Sequence, residues 1–588
     1  MQTFRGVLSS VRTRFYPALL HVVHEGYPVS VFVKDLLAGL IVGVVAIPLA
    51  IAFGIASGVS PTQGLVTAVV TGFLISALSG SRVQVGGPTG AFIVIIYAIV
   101  QKYGYDGLAV ATLMAGGLLV VMGVCGFGSV IKYVPYPVTV GFTSGIALII
   151  FAGQVKDLLG LKMATVPAEF VEKLGAYGEH IETADWRCVA ISLTTVLICV
   201  LWKRVTPKVP GSLVAIVLTT VAVYALRRWG VLSAESVSTI GDRFPAVAQG
   251  MSIPAPRLPS VSFAAFRELV SPAISIALLA GIESLLSAVV ADGMTGRKHN
   301  SNTELIGQGI ANLCSPLFGG IPATGAIART ATNIKSGGRT PVAGIIHAVF
   351  LLLVMLFLGK LAAWIPMATL AGIVAVVAYN MSEWRHFVKM FRSTRSDVLV
   401  MLATFLLTVF VDLTVAIQAG MLLAAFLFIR RVAETTQVGY VTQQVGGGTR
   451  GAAAGEDDDP LSINRRVVPV GVEVFEIEGS LFFGAADKFK DALTQVGVRP
   501  KVLILRMRHV LSLDATALHA LEDVWSQTRR EGTQLVLSGV HSQPLFVMQR
   551  AGFLDQVGAG NVFGNIDEAL ARAAELVGTK TGLAGERR

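Results

Sequence analysis

Two short apolar stretches in this chain begin alike, and neither is long enough to cross a bilayer. Gly86-Gly87-Pro88-Thr89-Gly90-Ala91-Phe92 heads one in the first half, and Gly319-Gly320-Ile321-Pro322-Ala323-Thr324-Gly325-Ala326-Ile327-Ala328-Arg329 heads the other in the second. Each reads as a glycine pair, a proline, then Thr-Gly-Ala opening a short helix. A helix that starts inside a membrane leaves its first N–H groups unpaired and aims the positive end of its dipole at one spot. Proline at such a start loses nothing, because the N–H it lacks has no partner there anyway. Interrupted segments at matching places in two apolar halves point to a transporter's binding site, and two such ends facing each other make an anion site.

Composition agrees with a membrane setting. The 588 residues are 53% hydrophobic and 14% charged, which is too apolar for a soluble protein and fits a polytopic membrane protein with a polar appendage. The net charge of +10 fits basic residues at the cytoplasmic ends of spans and does not require nucleic acid. The four cysteines lie in or beside apolar segments without paired spacing, as small buried hydrophobes. None of the nine histidines sits at metal-ligand spacing, so neither metal nor cofactor is expected. No nucleotide-binding loop or nucleophile elbow occurs, which argues against an enzyme. The stretch from Tyr16 to Pro28 has no cleavable apolar core, and no signal peptide is expected.

Apolar segments fall at residues 36–57, 62–80, 89–101, 107–127, 136–154, 188–203 and 211–227. After a polar, proline-rich stretch, a second series runs at 270–292, 303–318, 324–335, 341–362, 366–381, 396–411 and 413–431. The third member of each series is short. The shift that lays Thr89-Gly90-Ala91 on Thr324-Gly325-Ala326 also lays residues 38–58 on 273–293 and sets Pro48 opposite Glu283. This predicts an α-helical polytopic protein of fourteen segments in a seven-plus-seven repeat, inverted because the number per copy is odd. Both termini then share one side. The short connections there carry Lys34, Arg82, Arg204, Arg297, Arg339 and Arg430, while the opposite short connections hold chiefly Lys102 and Lys360, so both termini are expected in the cytoplasm of a multi-pass inner (plasma) membrane protein.

The expected organisation is a cytoplasmic lead-in at 1–34, a transmembrane domain at 35–432 (repeats about 35–227 and 270–432), a flexible charged linker at 433–465 and a soluble α/β region at 466–588. In the last region strands are predicted at 472–477, 502–505 and 534–537, with helices at 485–495, 515–529, 544–550 and 566–577.

Glu283 lies mid-segment among leucines and isoleucines, where an ionisable group is costly unless it faces a cavity or carries a proton. It is the candidate coupling residue, with Ser287 one turn on; the simpler alternative is a fixed carboxylate satisfied by helix ends. Arg329, early in the second short helix, either pairs with an anion or with Glu283, or is a structural arginine reaching toward the cytoplasm. Thr89 and Thr324 can donate to an anion or simply cap their helices. Gly90, Ala91, Gly325 and Ala326 complete the two heads, and Phe53, just past Pro48, is a candidate wall. Glu304 reads as a helix N-terminal acid.

At these residues the chain resembles the sulfate permease (SulP) family of anion transporters, prokaryotic relatives of solute carrier family 26. The matching pieces are Asp35-Leu36-Leu37-Ala38-Gly39-Leu40, Pro48, Gly87-Pro88-Thr89, Glu283-Ser284, Glu304 through Asn312, Phe318 through Ala331 and Gly338-Arg339-Thr340-Pro341. The tail resembles a STAS domain through Leu505 and Leu513-Asp514-Ala515-Thr516-Ala517-Leu518. The resemblance implies a core and a gate domain, substrate between the two short helices, elevator motion and a homodimer. It also implies a cytoplasmic STAS domain open to a protein partner, and a substrate among sulfate, bicarbonate, chloride and C4-dicarboxylates. Thr516 stands where related anti-sigma-factor antagonists carry a phosphorylatable residue, making it a regulatory candidate, though a helix start capped by Asp514 explains the motif more simply. Cyanobacterial sodium–bicarbonate transporters resemble the chain closely but have Asp in place of Glu283 and lack Arg329. The expected function is therefore secondary transport of a small anion with a coupled proton. A sodium-coupled bicarbonate transporter, an anion exchanger and a non-transporting membrane sensor acting through STAS remain the alternatives.

Overall fold

The computed structural model describes residues 15–129, 134–163, 166–167, 169–206, 209–233, 236–259, 263–411, 413–440, 463, 466–494 and 500–578. The chain divides into two compact units, Met1–Ala424 and Ala425–Arg588.

The first unit is helical. After α1 (Ala18–Glu25) come α2 (Val29–Ala56), α3 (Pro61–Leu78), the two-residue strand β1 (Gly86–Gly87), a 3-10 turn (Gly90–Phe92) and α4 (Ile93–Val124). Then follow α5 (Tyr136–Leu159), α6 (Phe170–His180), α7 (Trp186–Val205), α8 (Gly211–Arg228), α9 (Val270–Thr295) and α10 (Ser301–Cys314). Strand β2 (Thr324–Gly325) leads into α11 (Ile327–Lys335), α12 (Pro341–Leu358), α13 (Met367–Met381), α14 (Arg395–Phe410) and α15 (Leu413–Thr435), within which the second unit begins. The starts are written locally. Ser60 and Gln63 form a capping box on α3 with Pro61 in the first turn, and Asn300 accepts from the amides of Asn302 and Thr303 at the head of α10. Gly104, at φ 68°, breaks α4 between the two segments expected from the sequence.

Among the described residues, eight helices are long and apolar enough to cross a membrane, or nine if the bent pair Phe170–Thr183 and Trp186–Trp202 is one span. The sequence expectation of fourteen segments exceeds this number for a physical reason. α10, α11, α13 and α14 have 14, 9, 15 and 16 residues, short of the roughly 20 that span a bilayer, and the two halves of α4 run together through Gly104.

The helices pack in two sets. One joins α2, α3, α4, α9, α10, α11 and α12, and the other joins α5, α7, α8, α13 and α14. Close approach rests on small residues: a Cβ on Gly116 of α4 would lie 2.8 Å from the Gly309 carbonyl of α10, and one on Gly309 would lie 2.7 Å from the Gly116 carbonyl. Backbones this near give the van der Waals contact that holds helices where lipid supplies no hydrophobic drive.

The second unit carries a five-stranded sheet in the order β3 (Gln437–Tyr440), β4 (Val472–Glu478), β5 (Val502–His509), β6 (Gln534–Ser538) and β7 (Val562–Phe563). β3 is antiparallel to β4 and the remaining pairs are parallel. Alternation along β5 divides the core: Leu503, Leu505 and Met507 pack on the face of α16 (Phe483–Thr494) and α17 (Ala515–Arg530), while Val502 and Ile504 pack on α19 (Ile566–Val577). A further helix, α18 (Ser542–Arg550), adds Met548 to the first of these cores. β3 falls in the stretch expected to be linker; its edge position needs only a few residues, too few for an alternating pattern to show. Residues 441–462 and 464–465 of that linker lie outside the described residues.

Candidate binding site at the broken helices

β1 and β2 pair antiparallel, Gly86 with Gly325 and Gly87 with Thr324, so the ladder sets the two helix heads side by side within the helical unit. Non-helical backbone at membrane depth is tolerated only where protein satisfies it, and here side chains finish what the ladder begins. Thr67 Oγ1 accepts from the Ile321 amide at 2.7 Å, Asn312 Oδ1 accepts from the Ala323 amide at 2.9 Å, and Asn312 Nδ2 donates to the Ala323 carbonyl at 2.8 Å. Ser315 Oγ donates to the Ile321 carbonyl at 2.7 Å and the Tyr105 hydroxyl to the Gly320 carbonyl at 2.8 Å.

At the first head the Thr89 hydroxyl donates to Glu283 Oε2 at 2.8 Å. Glu283 is half-buried, and Thr89 is 9% exposed. Gly90 stands where the two helix sets meet: a Cβ there would come 2.7 Å from Met381 Sδ of α13 and 3.7 Å from Ile150 Cδ1 of α5. Ala91 is buried beside it, and Phe53 lies in the apolar core of this unit at 5% exposure.

At the second head the Thr324 hydroxyl is committed to the Ala280 carbonyl of α9 at 2.8 Å, and the Ala326 amide to the Val85 carbonyl at 2.9 Å. Gly325 faces Gln84, whose Nε2 would lie 1.6 Å from a Cβ at that position. Ser287 turns away from Glu283 and donates to Thr330 Oγ1 at 3.3 Å, which in turn accepts from the Val85 amide at 3.1 Å.

Arg329 is 2% exposed and donates from Nη1 to the Gly86 carbonyl at 3.2 Å and from Nη2 to the Pro88 carbonyl at 2.8 Å. It neither meets Glu283 nor reaches out of the unit, two of the three destinations the sequence suggested, the third being an anion. Its charge lies behind β1 and ties the second head to the first. Gly87 has φ 148° and would set a Cβ 2.0 Å from Arg329 Nη1, so conformation and space both demand glycine there.

Sequence reasoning missed a polar network one layer deeper. Glu304, fully buried, accepts at Oε2 from the Gly80 and Ser81 amides, each at 3.1 Å, and at Oε1 from Ser284 Oγ and Gln308 Nε2, each at 2.9 Å. Gln84 Nε2 extends it, donating to Ser284 Oγ at 2.9 Å. The available signal was spacing: Glu304, Gln308 and Asn312 repeat every fourth residue, making one polar face on a short apolar helix.

In the α/β unit Thr516 is exposed in the first turn of α17, whose cap Asp514 accepts from the Ala517 amide at 2.8 Å and the Phe483 amide at 3.0 Å. Glu476, Glu478 and His509 are the only described residues grouped closely enough for a metal ion, but Glu476 is already paired with Arg506 at 2.9 Å.

The model of the sulfate permease family matches residues 32–404, and that of the STAS domain matches residues 466–569. YvdB of Bacillus subtilis (strain 168), a protein named for sulfate transport, is 40% identical over 545 residues, covering 92% of this chain and 98% of its own. Bicarbonate transporter BicA of Synechocystis sp. is 31% identical over 534 residues, covering 88% and 90%. The solved structure of murine solute carrier 26 family member A9, inward-facing, has the same fold at 19% identity, with TM-score 0.81 over 96% of this chain and 95% of that one. The chain belongs to the sulfate permease family of anion transporters and carries a STAS domain after its membrane part.

Proposed function

We propose that this protein is a secondary active transporter that binds a small anion between the two helix heads and couples its movement to a proton on Glu283. The observation that carries the reading is the Thr89–Glu283 hydrogen bond at the first helix head. An ionised Glu283 only accepts, and it holds the Thr89 hydroxyl as donor. A protonated Glu283 supplies its own donor, so Thr89 is released to donate to an anion arriving at the helix head that starts at Gly90. A proton cancels the charge of bicarbonate and halves that of a dianion such as sulfate, which lowers the cost of carrying either through a low-dielectric site. Arg329, held at the carbonyls of Gly86 and Pro88, lends long-range positive charge without touching the ligand.

The substrate class is a small oxyanion or carboxylate: sulfate, bicarbonate or a C4-dicarboxylate. Relatives named for sulfate and for bicarbonate support the first two. The two helix sets correspond to the core and gate of an elevator, with the Gly90–Met381 contact at their boundary. In this reading the protein is a homodimer of seven-plus-seven inverted repeats in the inner membrane, with both termini and the STAS domain in the cytoplasm. Bicarbonate transport with sodium is the second reading, favoured by the likeness to BicA. Purified protein in liposomes, given labelled sulfate, bicarbonate and fumarate under imposed pH or sodium gradients, tests both. Uptake that follows sodium and ignores pH overturns the proton assignment, and no uptake of any anion leaves a sensor acting through STAS.

A further inference from the structure

At the end of the bundle away from α1, a vestibule of about 1020 Å³ opens between the helix sets. Its inner wall includes Ile93, at the head of α4, and Ile150, which also lies against Gly90. The vestibule therefore leads to the first helix head. Its outer wall carries Lys102, Lys156, Lys173 and Arg243 with Asp157, Glu169 and Glu268. Most of these charges are already matched. Arg243 binds Asp157 at 3.3 Å, and Glu268 accepts from Tyr103 at 2.8 Å with Lys102 at 3.8 Å. Glu169 is exposed, and Lys156 donates to the Met163 carbonyl at 2.6 Å.

Lys173 on α6 is different. It is only 4% exposed, yet its ammonium makes no hydrogen bond or ion pair with any described residue. The ammonium lies 5.8 Å from the centre of the Tyr97 ring, and that ring is anchored by its hydroxyl on the Val166 carbonyl at 2.7 Å. A ring face compensates an ammonium only in part, and a buried cation without a counter-ion is a costly arrangement unless something anionic visits it.

We propose that Lys173, seated over Tyr97 in this vestibule, is a recruitment site where the small oxyanion rests before it reaches the Gly90 helix head. This rests on the transport reading above and adds a second, outer station to it. A fixed positive charge on low-dielectric walls raises the local anion concentration and speeds capture, an effect that salt weakens. In the orientation proposed above the station faces the outside of the cell.

The test uses the full chain in liposomes with inorganic sulfate as probe. Lys173→Met should raise the sulfate KM severalfold for uptake from the vestibule side at unchanged maximal uptake, and flatten the dependence on ionic strength. It should lower the maximal rate of release toward the vestibule by the same factor, with the opposite-side KM unchanged. Lys173→Arg should restore the wild-type values. Independently of transport, pyridoxal 5′-phosphate followed by borohydride should label the Lys173 amine of the wild-type protein, and sulfate should protect it. Failure of sulfate to protect Lys173 overturns the site, as does an equal rise in KM from both sides, which marks a structural role. A wild type that moves no sulfate but in which sulfate still protects Lys173 sinks the transport reading while the outer anion site stands.

Discussion

A Cβ added at Gly87 would lie 2.0 Å from Nη1 of Arg329. That one distance explains how the two broken helices hold each other, since the guanidinium occupies the space a side chain on β1 would fill while donating to the carbonyls on either side. Gly87→Ala must displace the guanidinium and also strain a backbone at φ 148°. The strain alone is worth about 1–3 kcal/mol. The expected result is a lower unfolding temperature and loss of anion binding by calorimetry; a variant that melts and binds like wild type would show that the ladder is dispensable.

Arg329→Ala compared with Arg329→Gln separates charge from scaffold. The alanine variant removes two charge-assisted hydrogen bonds, each worth about 1.5–3 kcal/mol, and leaves the Gly86 and Pro88 carbonyls buried. Because those bonds go to the first head and not to the ligand, sulfate affinity should fall only severalfold, through lost long-range charge and a loosened head. Arg329→Gln keeps donors at that place but no charge. If it binds sulfate as wild type does, Arg329 acts by positioning alone.

Glu304 and Glu283 are both acids in the membrane unit, and they should respond in opposite ways. Glu304 has four donors on its two oxygens, so Glu304→Ala leaves them all unpaired in the interior. Breaking a buried charged network of this kind costs about 3–5 kcal/mol, and the variant is expected to aggregate on solubilisation. Monodisperse elution in size-exclusion chromatography at wild-type yield would contradict this.

The two helix heads were legible because Gly, Pro and Thr at a helix start have distinct local reasons to be there. The sheet of the α/β unit was legible through the alternation of Val472–Ile477 and the unbroken apolar run of Val502 to Leu505. What lay beyond the sequence was every contact made at long range. Nothing local tells Arg329 to choose the Gly86 and Pro88 carbonyls over Glu283, or Glu304 to choose the amides of Gly80 and Ser81. Strands of two residues, like β1 and β2, contain too little pattern to announce themselves. β3 was hidden for a related reason, sitting at a sheet edge inside a polar stretch.

The placement of β3 changes how the tail should be removed. A cut at residue 466 leaves Gln437–Tyr440 without its partner β4 and exposes an unpaired strand. Deleting residues 437–588 removes the sheet whole. Since neither helix head lies in the tail, this shorter protein is expected to bind sulfate with unchanged affinity in calorimetry, whereas the cut at 466 should aggregate more. Loss of binding in a monodisperse 437–588 deletion would make the STAS domain part of the site.

Glu283→Gln gives the decisive variant for coupling. Glutamine keeps the size of the side chain and can still accept from the Thr89 hydroxyl, now at 2.8 Å from Glu283 Oε2, so the first helix head should keep its shape. What it loses is the ability to gain and release a proton. Fixed in a neutral state, it resembles the protonated carboxyl that the proposed cycle pairs with bound anion. Anion exchange across the membrane, which needs only the loaded form to move, should therefore survive. Uphill uptake driven by an inward proton gradient should vanish, because the empty carrier no longer has to release a proton before it resets. The measurement is labelled sulfate in liposomes, comparing counterflow against unlabelled sulfate with uptake into sulfate-free vesicles under a pH gradient. Gradient-driven uptake that persists in Glu283→Gln would move the coupling proton to another group, and equal loss of counterflow and driven uptake would make Glu283 a binding residue and not a coupling one.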